Sequence, residues 1–158
     1  MKHLFYYQTP LGGIGIAEEG GYITNLYFPS DEVPQGVYDI SETKLLKEAH
    51  QALEEYFNRR CRSFSLPLRP EGTAFQQTVW QCLREIPYGE TASYSEIAAR
   101  SGNSKACRAV GLANNRNPIP ILIPCHRVIG KNGKLTGYRG GLETKEFLLQ
   151  LEQGDGHI

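Results

Sequence analysis

The chain has 158 residues, 40% of them apolar and 22% charged, with seventeen cations balanced by seventeen anions. This ordinary globular composition excludes collagen-like, fibrous and disordered classes, and the length fits one domain or two small ones. Neither a secretory leader nor a run of about 18 apolar residues is legible, so a cytoplasmic, nucleoid-accessible protein with no membrane partner is expected.

The first third reads as strand and hairpin. LFYYQT is aromatic and β-rich, and GGIGIAEEGGYITNLYF places two strand-like runs around Glu18-Glu19-Gly20-Gly21, so an antiparallel sheet begins here. From Ser41, a good N-cap, Leu45, Ala49, Leu53 and Phe57 recur every four positions, with Leu46 and Tyr56 widening the stripe. That spacing predicts an amphipathic helix lying on the sheet. SFSLPLRPEG, with two prolines and a glycine, reads as an edge strand running into a linker, and it places a domain boundary near residue 70.

Beyond the linker the pattern changes to short helices with clear starts. Thr73 and Gln76 form a capping box before Phe75, Val79, Leu83 and Ile86, and Pro87 closes that helix. Ser93 and Glu96 form a second box, opening a helix over Tyr94 to Arg100 that Gly102 ends. A third helix is predicted from about Ser104 to Asn114, with Lys105 and Arg108 on one side and Val110 and Ala113 on another. Two helices joined at Ser101-Gly102-Asn103 have the outline of a helix-turn-helix. Pro118, Pro120 and Pro124 then stop helix formation. His126 to Ile129 and Leu135 to Tyr138 flank a Lys-Asn-Gly turn, as in a hairpin or wing, and Leu142 to Glu152 closes the chain as a last helix.

Zero net charge hides an asymmetry. Between Arg100 and Lys145 stand nine cations against one anion, Glu143, a balance of +8 that leaves −8 elsewhere. A basic block of this kind fits phosphate contact, because neutralised phosphates release condensed counterions; a solvated surface gives the same pattern. The four cysteines, Cys61, Cys82, Cys107 and Cys125, stand far apart with no C-x-x-C pair, and free thiols are expected.

Cys125 and His126 adjoin in a segment too proline-rich for a helix and too apolar for a solvent loop. A thiol near its free pKa is only a few per cent thiolate at neutral pH, so a nucleophilic cysteine needs a base or cation at hand. His126 and the basic block could supply both. Adjacent residues in extended geometry point to opposite faces, however, so contact would need a water or a turn. Most Cys-His pairs are simply a small buried hydrophobe beside a polar residue.

The run from Asn117 to Gly130, NPIPILIPCHRVIG, resembles the active-site signature of the 6-O-alkylguanine-DNA alkyltransferases, whose P-C-H-R-V core holds an acceptor cysteine. Similarity extends through residues 73 to 152, including GETASYSEIA, RAVG and GYRGGLE. The resemblance implies an α/β (α+β) protein: a ribonuclease-H-like N-terminal domain over 1–70, with a small antiparallel sheet and a helix, and an alkyltransferase domain over 71–158 with a helix-turn-helix or winged-helix motif. It implies stoichiometric repair of alkylated guanine in double-stranded DNA after base flipping, with 4-O-alkylthymine as a further substrate, by a monomer without cofactor. On that basis Cys125 is the alkyl acceptor, His126 the base acting through water, Glu152 the carboxylate orienting it, and Tyr94 a catalytic hydrogen-bond donor. Tyr138, Val128, Arg139 and Asn117 would line or tie the base pocket. Arg108 would be the finger entering the base stack, with Lys105, Ser104, Arg116 and Arg127 on DNA. Arg139 stands where some relatives carry a small residue. Zinc-binding residues of other relatives have no counterpart beyond His3, His50 and Cys61, so no metal is expected. Two other classes compete: a non-catalytic lesion-binding protein, which Cys125 argues against, and a Cys-His-Glu thiol hydrolase, which would leave the basic block unexplained.

Overall fold

Three strands open the computed structural model, which describes residues 1–154: β1 (Lys2–Thr9), β2 (Gly12–Glu19) and β3 (Tyr22–Tyr27). They pair antiparallel, and the β2–β3 reversal runs through Gly20 and Gly21, both at positive φ (61° and 85°), a conformation open to glycine without a Cβ penalty. A two-residue strand, β4 (Asp39–Ile40), then enters beside β1 running parallel to it. The sheet is therefore mixed, in the order β3-β2-β1-β4, where the sequence predicts only antiparallel pairing.

The segment 63–72 makes its edge contact through one residue. Ile23 donates to the Pro67 carbonyl and accepts from the Arg69 amide, each at 2.8 Å. Pro67 and Pro70 lack the donors that would carry the pairing further.

Helix α1 (Lys44–Phe57) covers the sheet. Its cap is Thr43, whose hydroxyl accepts from the Leu46 amide, rather than the expected Ser41, which instead bonds His3 and Asp39. The buried stripe is Leu46, Ala49, Leu53 and Tyr56, so its centre falls beside Leu45 and Phe57, which are only half-buried. Against it pack Ile14, Ile16, Ile23 and Leu26, all fully buried, while Leu4 lies on the other face of the sheet with Ala17 and Tyr27. Burying side chains of this size stabilises by about 1.5–3 kcal/mol each, which makes this stripe the main support of the N-terminal unit.

The chain forms two compact units, Met1–Glu71 and Gly72–Ile158. In the second unit both capping boxes form as the sequence predicts, at Thr73/Gln76 for α2 (Ala74–Arg84) and at Ser93/Glu96 for α3 (Tyr94–Arg100). Helix α4 (Cys107–Asn115) starts three residues later than expected. Asn103 accepts from the Lys105 amide through its side chain and from the Ala106 amide through its carbonyl, and this closes a turn before the helix can begin. The fully buried Trp80 of α2 donates to the Ala113 carbonyl at 2.9 Å, pinning α4.

After α4 the chain runs through the proline segment to a 3₁₀ turn at Cys125–Arg127 and a short strand, β6 (Val128–Ile129), parallel to β5 (Ala92–Ser93). The expected hairpin does not form: residues 135–138 are irregular, held by a turn in which Gly130 donates to the Lys134 carbonyl. Strand β6 finds its partner in β5 instead. The last helix, α5 (Leu142–Gln153), buries Leu148, Leu149 and Leu151, and also Lys145 and Glu152.

Candidate active site

The segment that carries Cys125 is built from residues whose polar groups are consumed locally. Asn117 accepts from the Ile119 amide and donates to the Ile123 carbonyl, tying both ends of the proline loop. Inside that loop Ile121 sits at φ 74°, a costly conformation for a β-branched residue. Its side chain is buried, so surrounding packing holds the strain. The loop delivers Cys125 to the start of the 3₁₀ turn, 3% exposed, with its carbonyl accepting from Asn114 Nδ2 at 3.3 Å.

Burial pushes the Cys125 thiol up, while hydrogen bonds from Asn117 and Tyr138 and the charges of Arg139 and Lys145 pull it down. Burial wins, so the resting group is a thiol that needs a base to become a nucleophile.

Cys125 and His126 lie on a tight turn rather than on extended backbone, and His126 is fully buried. Its Nε2 stands 2.6 Å from Glu152 Oε2, whereas Nδ1 and the nearby Asn114 Oδ1 have no protein hydrogen-bond partner. Burial lowers the His126 pKa and outweighs the upward pull of Glu152. Burial by itself would raise Glu152, but hydrogen bonds and charge from His126 and Arg127 hold it at about 2. An ionised carboxylate only accepts, so Nε2 carries the imidazole proton and the lone pair lies on Nδ1. The arrangement is a neutral base with its free acceptor fixed by the carboxylate behind it.

Arg127 corrects the sequence reading. Expected on DNA, it is 6% exposed and points inward, Nε and Nη2 on the two Glu152 oxygens at 2.8 and 3.0 Å and Nη1 on the Ile86 carbonyl at 2.7 Å. Lys145, counted in the sequence among the cations of the basic block, is fully buried, with Nζ 3.4 Å from the Thr136 carbonyl; burial lowers its pKa and the charge of Cys125 raises it. Lys145 stands three and four residues before Leu148 and Leu149, on the same face of α5, and that spacing is the sequence signal for its burial.

The remaining expected residues fall into two groups. Half-buried Tyr94 bonds its hydroxyl to Thr136 Oγ1 at 2.5 Å, and Tyr138 is buried. Arg139 donates to the Asn117 carbonyl at 3.2 Å, and Val128 is fully buried in β6. Ser104, Lys105, Arg108 and Arg116 are exposed on or beside α4. Of the nine cations in the basic block, Arg100, Lys105, Arg108, Arg116, Lys131 and Lys134 are exposed, so the positive surface is smaller than the sequence count by Arg127, Lys145 and the half-buried Arg139. All four cysteines are free. Among the described residues no group of three or more His, Cys, Asp or Glu side chains is placed to hold a metal ion, and no helix is long and apolar enough to cross a membrane.

Two family models cover the chain: the ribonuclease-like domain of 6-O-methylguanine DNA methyltransferase matches residues 3–70, and its DNA binding domain matches residues 74–154. A methylated-DNA--protein-cysteine methyltransferase of Methanosarcina barkeri is 60% identical over 152 residues, covering 94% of this chain and 95% of that protein. The constitutive enzyme of that name from Bacillus subtilis is 52% identical over 153 residues, covering 92% of each. The crystal structure of Mycobacterium tuberculosis OGT in complex with DNA matches with a TM-score of 0.89 at 44% identity, over 96% of this chain and 92% of that one. Both halves of the sequence thus match one family in order, and the chain belongs to the 6-O-methylguanine DNA methyltransferases.

Proposed function

We propose that the protein repairs 6-O-alkylguanine in double-stranded DNA by moving the alkyl group to Cys125, once per molecule. The observation that carries this reading is the buried Cys125–His126–Glu152 arrangement on one turn and one helix, inside a domain whose family model is a DNA-binding one.

The thiol proton passes by way of a water to His126 Nδ1, leaving a thiolate and an imidazolium that Glu152 stabilises. The sulfur electron pair forms a bond to the alkyl carbon as the carbon–oxygen bond breaks, its electron pair staying on the guanine oxygen. Tyr94 stabilises that charge or returns a proton to the base. The product is a thioether, a poor leaving group, so no turnover follows. Tyr138, Val128, Arg139 and Asn117 shape the base pocket. Arg108, on the exposed side of α4, fills the gap left by the flipped base, lowering an unstacking cost of a few kcal/mol. Ser104, Lys105 and Arg116 contact phosphate.

In this reading residues 1–70 form a ribonuclease-H-like supporting domain and 71–158 the alkyltransferase domain. The protein works as a monomer in the cytoplasm, with access to the nucleoid. The test is direct. Duplex DNA carrying 6-O-methylguanine is added and the Cys125 peptide is weighed: a stoichiometric gain of one methylene is expected. Lesion binding with no gain would leave a non-catalytic binder, and repeated turnover of a thioester or peptide would make it a hydrolase.

A further inference from the structure

Arg127 stands in the sequence among cations that face solvent, yet its guanidinium is enclosed. Three of its donors are committed, two to Glu152 and one to the Ile86 carbonyl, and the Tyr88 ring lies 5.8 Å from its carbon. A buried ion pair of this kind could serve folding alone. What distinguishes it is sharing: Glu152 Oε2 receives both Arg127 Nη2 and His126 Nε2, so the cation and the base divide one carboxylate oxygen.

We propose that Arg127 is a positioning residue of the alkyl transfer, gripping both Glu152 oxygens so that the carboxylate orients His126 without drawing a second proton onto the imidazole. The inference rests on the roles of Cys125 and His126 given above. A dry carboxylate with no other cation would favour an imidazolium–carboxylate pair, and an imidazolium has no lone pair at Nδ1 to take the thiol proton. With Arg127 bound bidentately the carboxylate is already neutralised, and His126 rests as a neutral acceptor. The charged or titratable groups acting on His126 are Glu152 and Lys145 from α5 and Arg127 from its own turn; Glu152 pulls its pKa up, while Arg127 and Lys145 add to the lowering by burial. A lysine carries the same charge without the fork, so it would meet the carboxylate at one point and hold it in place less well.

The experiment is the pH dependence of single-turnover transfer from duplex DNA carrying 6-O-methylguanine. It compares wild type, Arg127→Lys, Arg127→Met and the double variant Arg127→Met with Glu152→Gln. Removing the guanidinium raises the His126 pKa, so the acid limb should move to higher pH, with about a tenfold loss on the acid side for each unit moved and recovery in alkali. Lysine should give a smaller shift in the same direction, and it carries the test if the methionine variant does not fold. The double variant should return the limb toward acid, since the carboxylate that attracts the proton is gone. Binding of undamaged duplex should not change. Equal slowing at every pH would overturn the proposal in favour of a purely structural ion pair. A shallower salt dependence of DNA binding would overturn it in favour of a phosphate contact. If the wild-type protein gains no methylene at Cys125, the parent reading fails independently of Arg127.

Discussion

His126 Nε2 and Glu152 Oε2 meet at 2.6 Å across 26 positions of sequence, with both side chains closed to solvent. This contact joins the 3₁₀ turn at Cys125–Arg127 to α5, so the proposed mechanism draws on the last helix as well as on the turn. It also makes the site sensitive to acid.

Glu152 has a folded pKa of about 2 against an ordinary carboxylate value of 4.5. A depressed carboxylate pKa contributes stability that is present above the unfolded value and lost as pH falls through the folded one. His126, also depressed, acts in the same direction below pH 6.5, because the unfolded chain takes up the proton first. Urea midpoints should therefore fall steeply between about pH 5 and pH 2, and Glu152→Gln should flatten that slope while lowering stability at pH 7. Parallel slopes for the two proteins would remove Glu152 as the cause.

Cys125→Ala should abolish transfer yet keep binding to duplex carrying 6-O-methylguanine. Alanine removes a sulfur that burial already keeps protonated, and the groups that contact DNA are unchanged. The checks are peptide mass for transfer and fluorescence anisotropy for binding. Loss of the folded state would instead assign the cysteine a packing role.

Exposed cations should separate from buried ones in their salt response. Lys105→Ala and Arg116→Ala are each expected to weaken binding to any duplex and to lower the slope of log affinity against log salt by about one. Arg108→Ala should reduce transfer from duplex more than transfer from free 6-O-methylguanine base, with an unchanged melting temperature because the side chain is exposed. Equal losses on duplex and free base would place Arg108 outside base extrusion.

Trp80→Phe should loosen α4. The indole donates to the Ala113 carbonyl and is 2% exposed, so the change removes a buried hydrogen bond and leaves a gap, a cost on the order of 2 kcal/mol or more. Hydrogen exchange should speed up in α4 before it does so in α2. Uniform protection in the two helices would show that the bond does not pin one to the other.

Local signals carried much of the architecture. The Thr73/Gln76 and Ser93/Glu96 boxes need only residues three apart, and both form. The fourfold spacing from Leu45 located α1, but the cap moved to Thr43 because Ser41 found partners on β1 and β4, which a local reading cannot see. The wing failed for a similar reason: β6 pairs with a strand 36 positions earlier, Ala92 with Val128.

At the site the division is sharper. The sequence by itself determined the family, the proline-rich segment around Cys125 and the helix pair beside it, because these depend on consecutive residues and short-range capping. Which side chains face which partner was decided only by the tertiary structure. Arg127 and Lys145 look like members of a basic surface and are buried, while Glu152, a helix-end charge by residue pattern and paired with His126 only through the family resemblance, is held at 2.6 Å from it. The physical reason is that burial and electrostatic pairing are set by elements distant in the chain, and a charge acquires its role from the dielectric and the counter-charge that those elements bring to it.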